Sequence, residues 1–157
     1  MTTSQAWLLN CGSSLSIAVG FHEMVELLHN HNSHNIPGSP GYCSSLLVWQ
    51  NNSLVPVMDL AMLAGKNQAD NEVPFVSILR YQEAPRMPLQ HLALKVKTAP
   101  RRIEIDDEQV CDFPQKPNFS PLRPVTFSTV LHEENAVIII DLARLCSTEF
   151  RDLANAA

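Results

Sequence analysis

The segment Leu54–Leu63 (LVPVMDLAML) returns, altered but readable, as Ala136–Leu145 (AVIIIDLARL). Each copy is an apolar run, then an aspartate, then Leu-Ala-x-Leu. Each also follows a polar turn containing Asn: Asn51-Asn52-Ser53 in one case, His132-Glu133-Glu134-Asn135 in the other. A short apolar run between turn signals suits a strand buried on both faces. Asp59 and Asp141 fit the N-cap of a following helical turn, which Gly65 would close in the first copy. Asn tolerates the positive φ that a tight hairpin needs. Leu46–Trp49 and Val125–Leu131 precede the turns, so each half of the chain is predicted to hold one antiparallel hairpin. The echo implies two related β-units meeting near residues 65–75, with Gly65–Glu72 (GKNQADNE) as connector.

Alternation with period two fills in further strands. Leu15, Ile17 and Val19 alternate with small residues, Leu92, Leu94 and Val96 with Ala93, Lys95 and Lys97, and Ile103 and Ile105 flank Glu104. Val125, Phe127, Thr129 and Leu131 share a face. Each pattern predicts a half-buried strand with one packed and one wet face. Helices are few: Thr148–Ala157 is read as one, capped by Ser147 or Thr148, and the prolines of Asp112–Pro124 make that stretch a crossing loop. The fold class is mainly β. Subdomain one is expected over 15–70, subdomain two over 73–145 with the N-terminal strand able to cross into it, and a C-terminal helix over 146–157.

Composition removes several functions. Charged residues are 17% of the 157, below the roughly 25% of an ordinary domain, and 45% are hydrophobic, so the chain is not a disordered one. Net charge is −5, and every Lys and Arg lies at or beyond Lys66, which argues against nucleic acid as a partner. No run of about 18 apolar residues is present to span a bilayer. Ala6–Gly12 resembles a lipoprotein cleavage site only superficially, since no cation precedes it and its apolar core is too short. A cytoplasmic protein that is not membrane-inserted is expected. The four cysteines (Cys11, Cys43, Cys111, Cys146) contain no CxxC and are expected as buried, reduced thiols.

The residues that carry chemistry are sparse. His29, His31 and His34, with Cys43 or Glu26, have the residue types of a metal site, but they lie in an Asn-rich segment without zinc-ligand spacing and read as a solvated loop. No GxSxG elbow or phosphate-cradling glycine loop occurs, and no glycine follows Gly65. Asp59 and Asp141 read as caps rather than a catalytic pair. No enzyme, metal or cofactor is expected.

Asn35–Gly65 carries a more specific signal: the loop Pro37-Gly38-Ser39-Pro40 and the closing motif Pro56-Val57-Met58-Asp59-Leu60, with Met24-Val25-Glu26 upstream. In these motifs the chain resembles the bacterial chemotaxis coupling proteins, the CheW-like family; Glu108-Gln109-Val110 and Val137–Leu145 match its second half more weakly. The resemblance implies a single domain over 1–157, built as two intertwined five-stranded SH3-like β-barrels around a shared core. It implies a non-catalytic signalling adaptor that joins the cytoplasmic tip of a chemoreceptor to the regulatory domain of a histidine kinase. The partner-binding residues it implies are Met24, Glu26, Ser45, Trp49, Gln50 and Asn52. Ser45 stands where the family has Gly, Gln50 where it has Arg, and Asn51-Asn52 replaces a Gly with one residue extra. The Trp49-Gln50 pair resembles coupling proteins of type IV pilus chemosensory systems. The alternatives are a degenerate homologue with another protein partner, or a metal-binding protein using His29, His31 and His34.

Overall fold

Among the described residues eleven strands form in the order β1 (Thr3–Gly12), β2 (Leu15–Gly20), β3 (Met24–His29), β4 (Ser33–Asn35), β5 (Ser45–Trp49), β6 (Ser53–Met58), β7 (Phe75–Tyr81), β8 (Gln90–Val96), β9 (Arg101–Asp106), β10 (Thr126–His132) and β11 (Asn135–Ile140). Three short α-helices accompany them among the described residues, α1 (Leu60–Leu63), α2 (Leu142–Leu145) and α3 (Thr148–Ala156), with five 3-10 helices, of which Pro117–Val125 occupies most of the stretch predicted as a crossing loop. The structure is a computed structural model and describes residues 3–29, 32–65 and 75–156. One curled sheet has the order β10-β11-β2-β1-β9 and the other β3-β7-β8-β6-β5-β4. The first is drawn towards closure where Val110 bridges Val130 and the Cys111 N–H donates to the Thr129 carbonyl at 2.9 Å. The second carries a sixth strand, the three-residue edge β4, beyond the expected five.

Sheet membership does not follow the expected limits 15–70 and 73–145. β1 and β2 join β9–β11, whereas β7 and β8 join β3–β6. The exchange is made by two parallel contacts, β6 with β8 and β11 with β2, each of which brings strands distant in sequence side by side. The predicted connector beyond Gly65 lies outside the described residues.

The sequence echo survives in these contacts. Val57 pairs with Ala93 in one sheet, and Ile139, its counterpart in the repeat, pairs with Ala18 in the other. Both alanines are fully buried, against the expectation of one wet face. The reason is that β2 and β8 each serve two cores. Their large side chains (Leu15, Ile17, Val19; Leu92, Leu94, Val96) enter a core shared by both sheets, together with Leu9, Leu79 and Ile138. Ala93 faces a second core with Leu47, Val55, Val57, Val76 and Ile78, and Ala18 a third with Ala6, Ile103, Val130 and Val137. Inside a tightly curled sheet the strands approach closely, so the fit there favours a small side chain.

Both predicted hairpins form, with different turns. Gln50-Asn51-Asn52 is a three-residue connection between the paired Trp49 and Ser53, with Asn51 and Asn52 at φ 55° and 59°. Glu133-Glu134 is a two-residue one, at φ 48° and 67°, so glutamates rather than Asn135 take the left-handed positions. Both caps form: Asp59 Oδ1 accepts from the Ala61 N–H and Asp141 Oδ1 from the Arg144 N–H, each at 3.1 Å. Ser147 Oγ caps α3 by accepting from the Phe150 N–H at 3.1 Å.

Exposure corrects two further expectations. Phe127 is 76% and Leu131 48% exposed, whereas Val125 and Thr129, expected on the same face, are buried. A register shift between Thr126 and Ser128 makes Phe127 an extra, extruded residue and sends Val130 inward instead. Val48 and Leu54, read as buried on both sides, are a cross-strand pair left 48% and 64% exposed at the projecting end of β5–β6. The N-terminal strand β1, for which alternation gave no signal, is ten residues long and paired on both sides.

Two stability outcomes follow. Asp59→Ala should cost on the order of 1 kcal/mol through loss of the cap, with Asp59→Asn retaining most of it; urea unfolding curves that coincide for Ala and wild type would refute the cap. Glu134→Gly should stabilise by about 0.5–1 kcal/mol, because glycine takes the left-handed conformation without the side-chain clash. A thermal midpoint that does not rise would show that Glu134 is unstrained.

Candidate functional site: the hairpin end of the second barrel

At the β5–β6 end of the second sheet, Trp49 reaches across the open seam to β3. Its indole Nε1–H donates to Glu26 Oε2 at 2.9 Å, and its ring meets His91 of β8 with centroids 4.9 Å apart. The half-buried Trp49 also packs on the core formed by Leu47, Val55 and Val57. One large side chain therefore ties β3, β5 and β8 together and holds the Glu26 carboxylate in a fixed place. A buried indole that satisfies its N–H in this way keeps its apolar body free for packing.

Gln50 and Asn52 sit beside it, exposed on the turn. Gln50 and Trp49 line an open cleft of about 560 Å3 together with Leu28, His29, His34 and Val48. Of the six expected partner-binding residues, Glu26, Trp49, Gln50 and Asn52 are thus gathered at one end of the barrel. Met24 lies at the start of β3, half-buried against the shared core. Ser45 is buried at the far end of β5, paired with Val57 and Asn35 and 5% exposed. The strand rise places it about 13 Å from Trp49. Sequence reasoning missed the exposed pair Val48 and Leu54 beside this turn, and His91 behind it. The pair was detectable in principle, since residues equally spaced from a hairpin turn share a face.

Two of the three candidate histidines, His29 and His34, belong to strands β3 and β4. His29 meets the Phe75 ring at 5.2 Å, and His34 is in β4, opposite Leu46. His31 lies outside the described residues. Among the described residues no three His, Cys, Asp or Glu side chains gather in a way that could hold a metal ion.

Carboxylates and thiols elsewhere have structural employment. Asp59 and Asp141 accept from helix N–H groups, and Glu23 Oε1 accepts from the Gly20 N–H at 2.6 Å. Burial raises the Glu23 carboxyl above its ordinary value, the Gly20 hydrogen bond opposing and nearby Asp141 adding to the rise. Cys11 is fully within the shared core, whereas Cys43, Cys111 and Cys146 are half-buried, and all four are free thiols. Burial, with a smaller push from Asp59, moves the Cys11 thiol from 9.0 up to about 12.

This geometry defines a class: paired β-barrels with a shared core, and at one end an aromatic anchor held beside exposed polar and apolar side chains. The chain belongs to the CheW-like domain family, whose model matches residues 5–150. Its fold is similar to the crystal structure of the scaffolding protein TtCheW from Thermoanaerobacter tengcongensis, with a TM-score of 0.63 at 15% identity, over 88% of this chain and 89% of that one. No curated protein matches the chain in sequence. Among the described residues no helix is long and apolar enough to cross a membrane.

The Cys11 shift has a measurable consequence. Between pH 9 and about 12 the unfolded chain releases this proton while the folded chain keeps it. Its contribution is therefore fully present below pH 9 and lost as the pH rises towards 12. Cys11→Val should flatten the alkaline fall in stability; equal slopes for variant and wild type in urea unfolding at pH 8, 10 and 11 would refute the assignment.

Proposed function

We propose that the chain is a non-catalytic signalling adaptor that couples a chemoreceptor to a chemotaxis-type histidine kinase by protein docking. Membership of the CheW-like family is the observation that carries this reading. The receptor's cytoplasmic tip and the kinase's regulatory domain are the partners. The docking end of the second barrel is built on Trp49, Glu26, Gln50 and Asn52, with Val48 and Leu54 as apolar neighbours and Met24 further along β3. A fixed aromatic with an apolar and polar surround is the composition from which a few residues supply most of an interface's energy.

Gln50 distinguishes this chain within that reading. It is exposed on the turn, in the place where the resemblance puts an arginine. A neutral amide lacks the charge-assisted hydrogen bond of a guanidinium, a difference of about 1.5–3 kcal/mol at a desolvated contact. This favours a receptor or other partner whose surface at that point is uncharged, and it is the specific ground for a pilus-type chemosensory system or a divergent partner.

Direct binding tests the proposal. Purified chain should bind a kinase regulatory domain or a receptor-tip fragment, and no binding to either at tens of micromolar would overturn the adaptor reading. Trp49→Ala should weaken that binding by more than about 2 kcal/mol, the range of an interface hot spot. Trp49→Phe, which keeps the ring but leaves Glu26 without its donor, should weaken it less. Variants that stay folded and bind as tightly as wild type would remove Trp49 from the interface.

A further inference from the structure

At the opposite end of the β5–β6 hairpin a second concavity, of about 560 Å3, lies between the loop 36–40, the end of β6 and the start of α3. Its walls are fixed independently of any occupant. Tyr42 meets Phe150 of α3 edge-on at 5.9 Å, and the Tyr42 carbonyl accepts from the Asp59 N–H at 2.8 Å. The loop is tied by the Ile36 N–H to the Ser44 carbonyl at 2.8 Å and by the Ser39 hydroxyl to the Ile36 carbonyl at 2.6 Å. The volume falls within the roughly 300–1,000 Å3 of small-molecule sites, and apolar walls with a few convergent polar groups are their usual lining.

Charge points to the kind of ligand. In a chain of net charge −5, the described lining contains one charged side chain, and it is the cation Arg151. Arg151 is exposed at the rim and makes no ion pair among the described residues. Its charge acts on Tyr42 and Cys43, while Glu83, which acts on Cys146 and Tyr81, does not line the cavity. Tyr42 is 6% exposed and lines the cavity. Burial raises this phenol and the Cys43 and Cys146 thiols, which keeps all three protonated and able to donate.

We propose that this cavity binds a small amphipathic organic acid, its carboxylate held by Arg151 and Tyr42 and its apolar body against Ile36, Pro37 and Met58. Such a ligand bridges α3 to the loop 36–40, at a place separate from the docking end, and its binding is independent of the adaptor reading.

Octanoate is the probe, with 1-octanol and octylamine as neutral and cationic controls, in titrations of the full chain followed by amide chemical shifts. Saturable shifts at Tyr42, Cys43 and Ser147–Arg151 are expected, with octanoate bound at least tenfold more tightly than either control. Arg151→Gln, at an exposed position, should weaken octanoate at least tenfold without moving the thermal midpoint, and Tyr42→Phe should weaken it less. Equal binding of 1-octanol, an unchanged affinity in Arg151→Gln, or shifts centred on Val48, Leu54 and Phe127 would overturn the proposal, the last outcome being adsorption on exposed apolar side chains.

Discussion

β2 and β8 have no free face over most of their length, and the architecture depends on that constraint. Each strand turns its large aliphatic residues into the core between the sheets and its alanine into the core within one sheet. Ala18 and Ala93 are fully buried at equivalent places in the two barrels, each beside a β-branched residue of a parallel neighbour. Neither barrel has a complete core alone, since the shared cluster draws Leu9, Ile17 and Ile138 from one sheet and Leu79, Leu92 and Leu94 from the other. The barrels are therefore one cooperative unit, and their relative placement is set by close packing rather than by a linker.

That rigidity gives the proposed docking end its character. Trp49 is held by the Glu26 carboxylate on one strand and by His91 on another, so the docking proposed for it would require little ordering of this side chain. Side chains that are already immobilised cost less entropy on binding. The exposed Val48 and Leu54 flank the same turn, and the repeat places Leu131, also exposed, opposite Ala136 in the corresponding position of the other barrel. The second concavity, with Arg151 at its rim, lies at the other end of this hairpin. One hairpin thus has two ends of different chemistry, one aromatic and polar, the other apolar with a cation.

Much of the fold was legible because its signals are local. The Asp59 and Asp141 caps, the hairpin at Asn51-Asn52 and the capped tail helix each depend on a few adjacent residues, and each forms where the residues indicate. The errors have non-local causes. Phe127 was placed on the packed face because a single extruded residue changes the parity of a strand without any mark in composition. β1 gave no alternating pattern because it too serves two cores, with Ala6 and Leu8 on one side and Leu9 and Cys11 on the other. Of the candidate site, the tie between Glu26 and Trp49 joins residues 23 apart in sequence, and no spacing rule relates them.

By itself, then, the chain's sequence determined that it is mainly β, that it repeats a hairpin followed by an Asp-capped turn, and that it carries the motifs of its family. These are properties of neighbouring residues, fixed by side-chain period and backbone conformation. Only the tertiary structure decided which strands share a sheet, which apolar side chains remain in water, and that Arg151 is the one charged side chain among the described residues lining the second cavity. Those outcomes depend on parallel contacts and packing between segments far apart along the chain, where closeness in space has no counterpart in sequence.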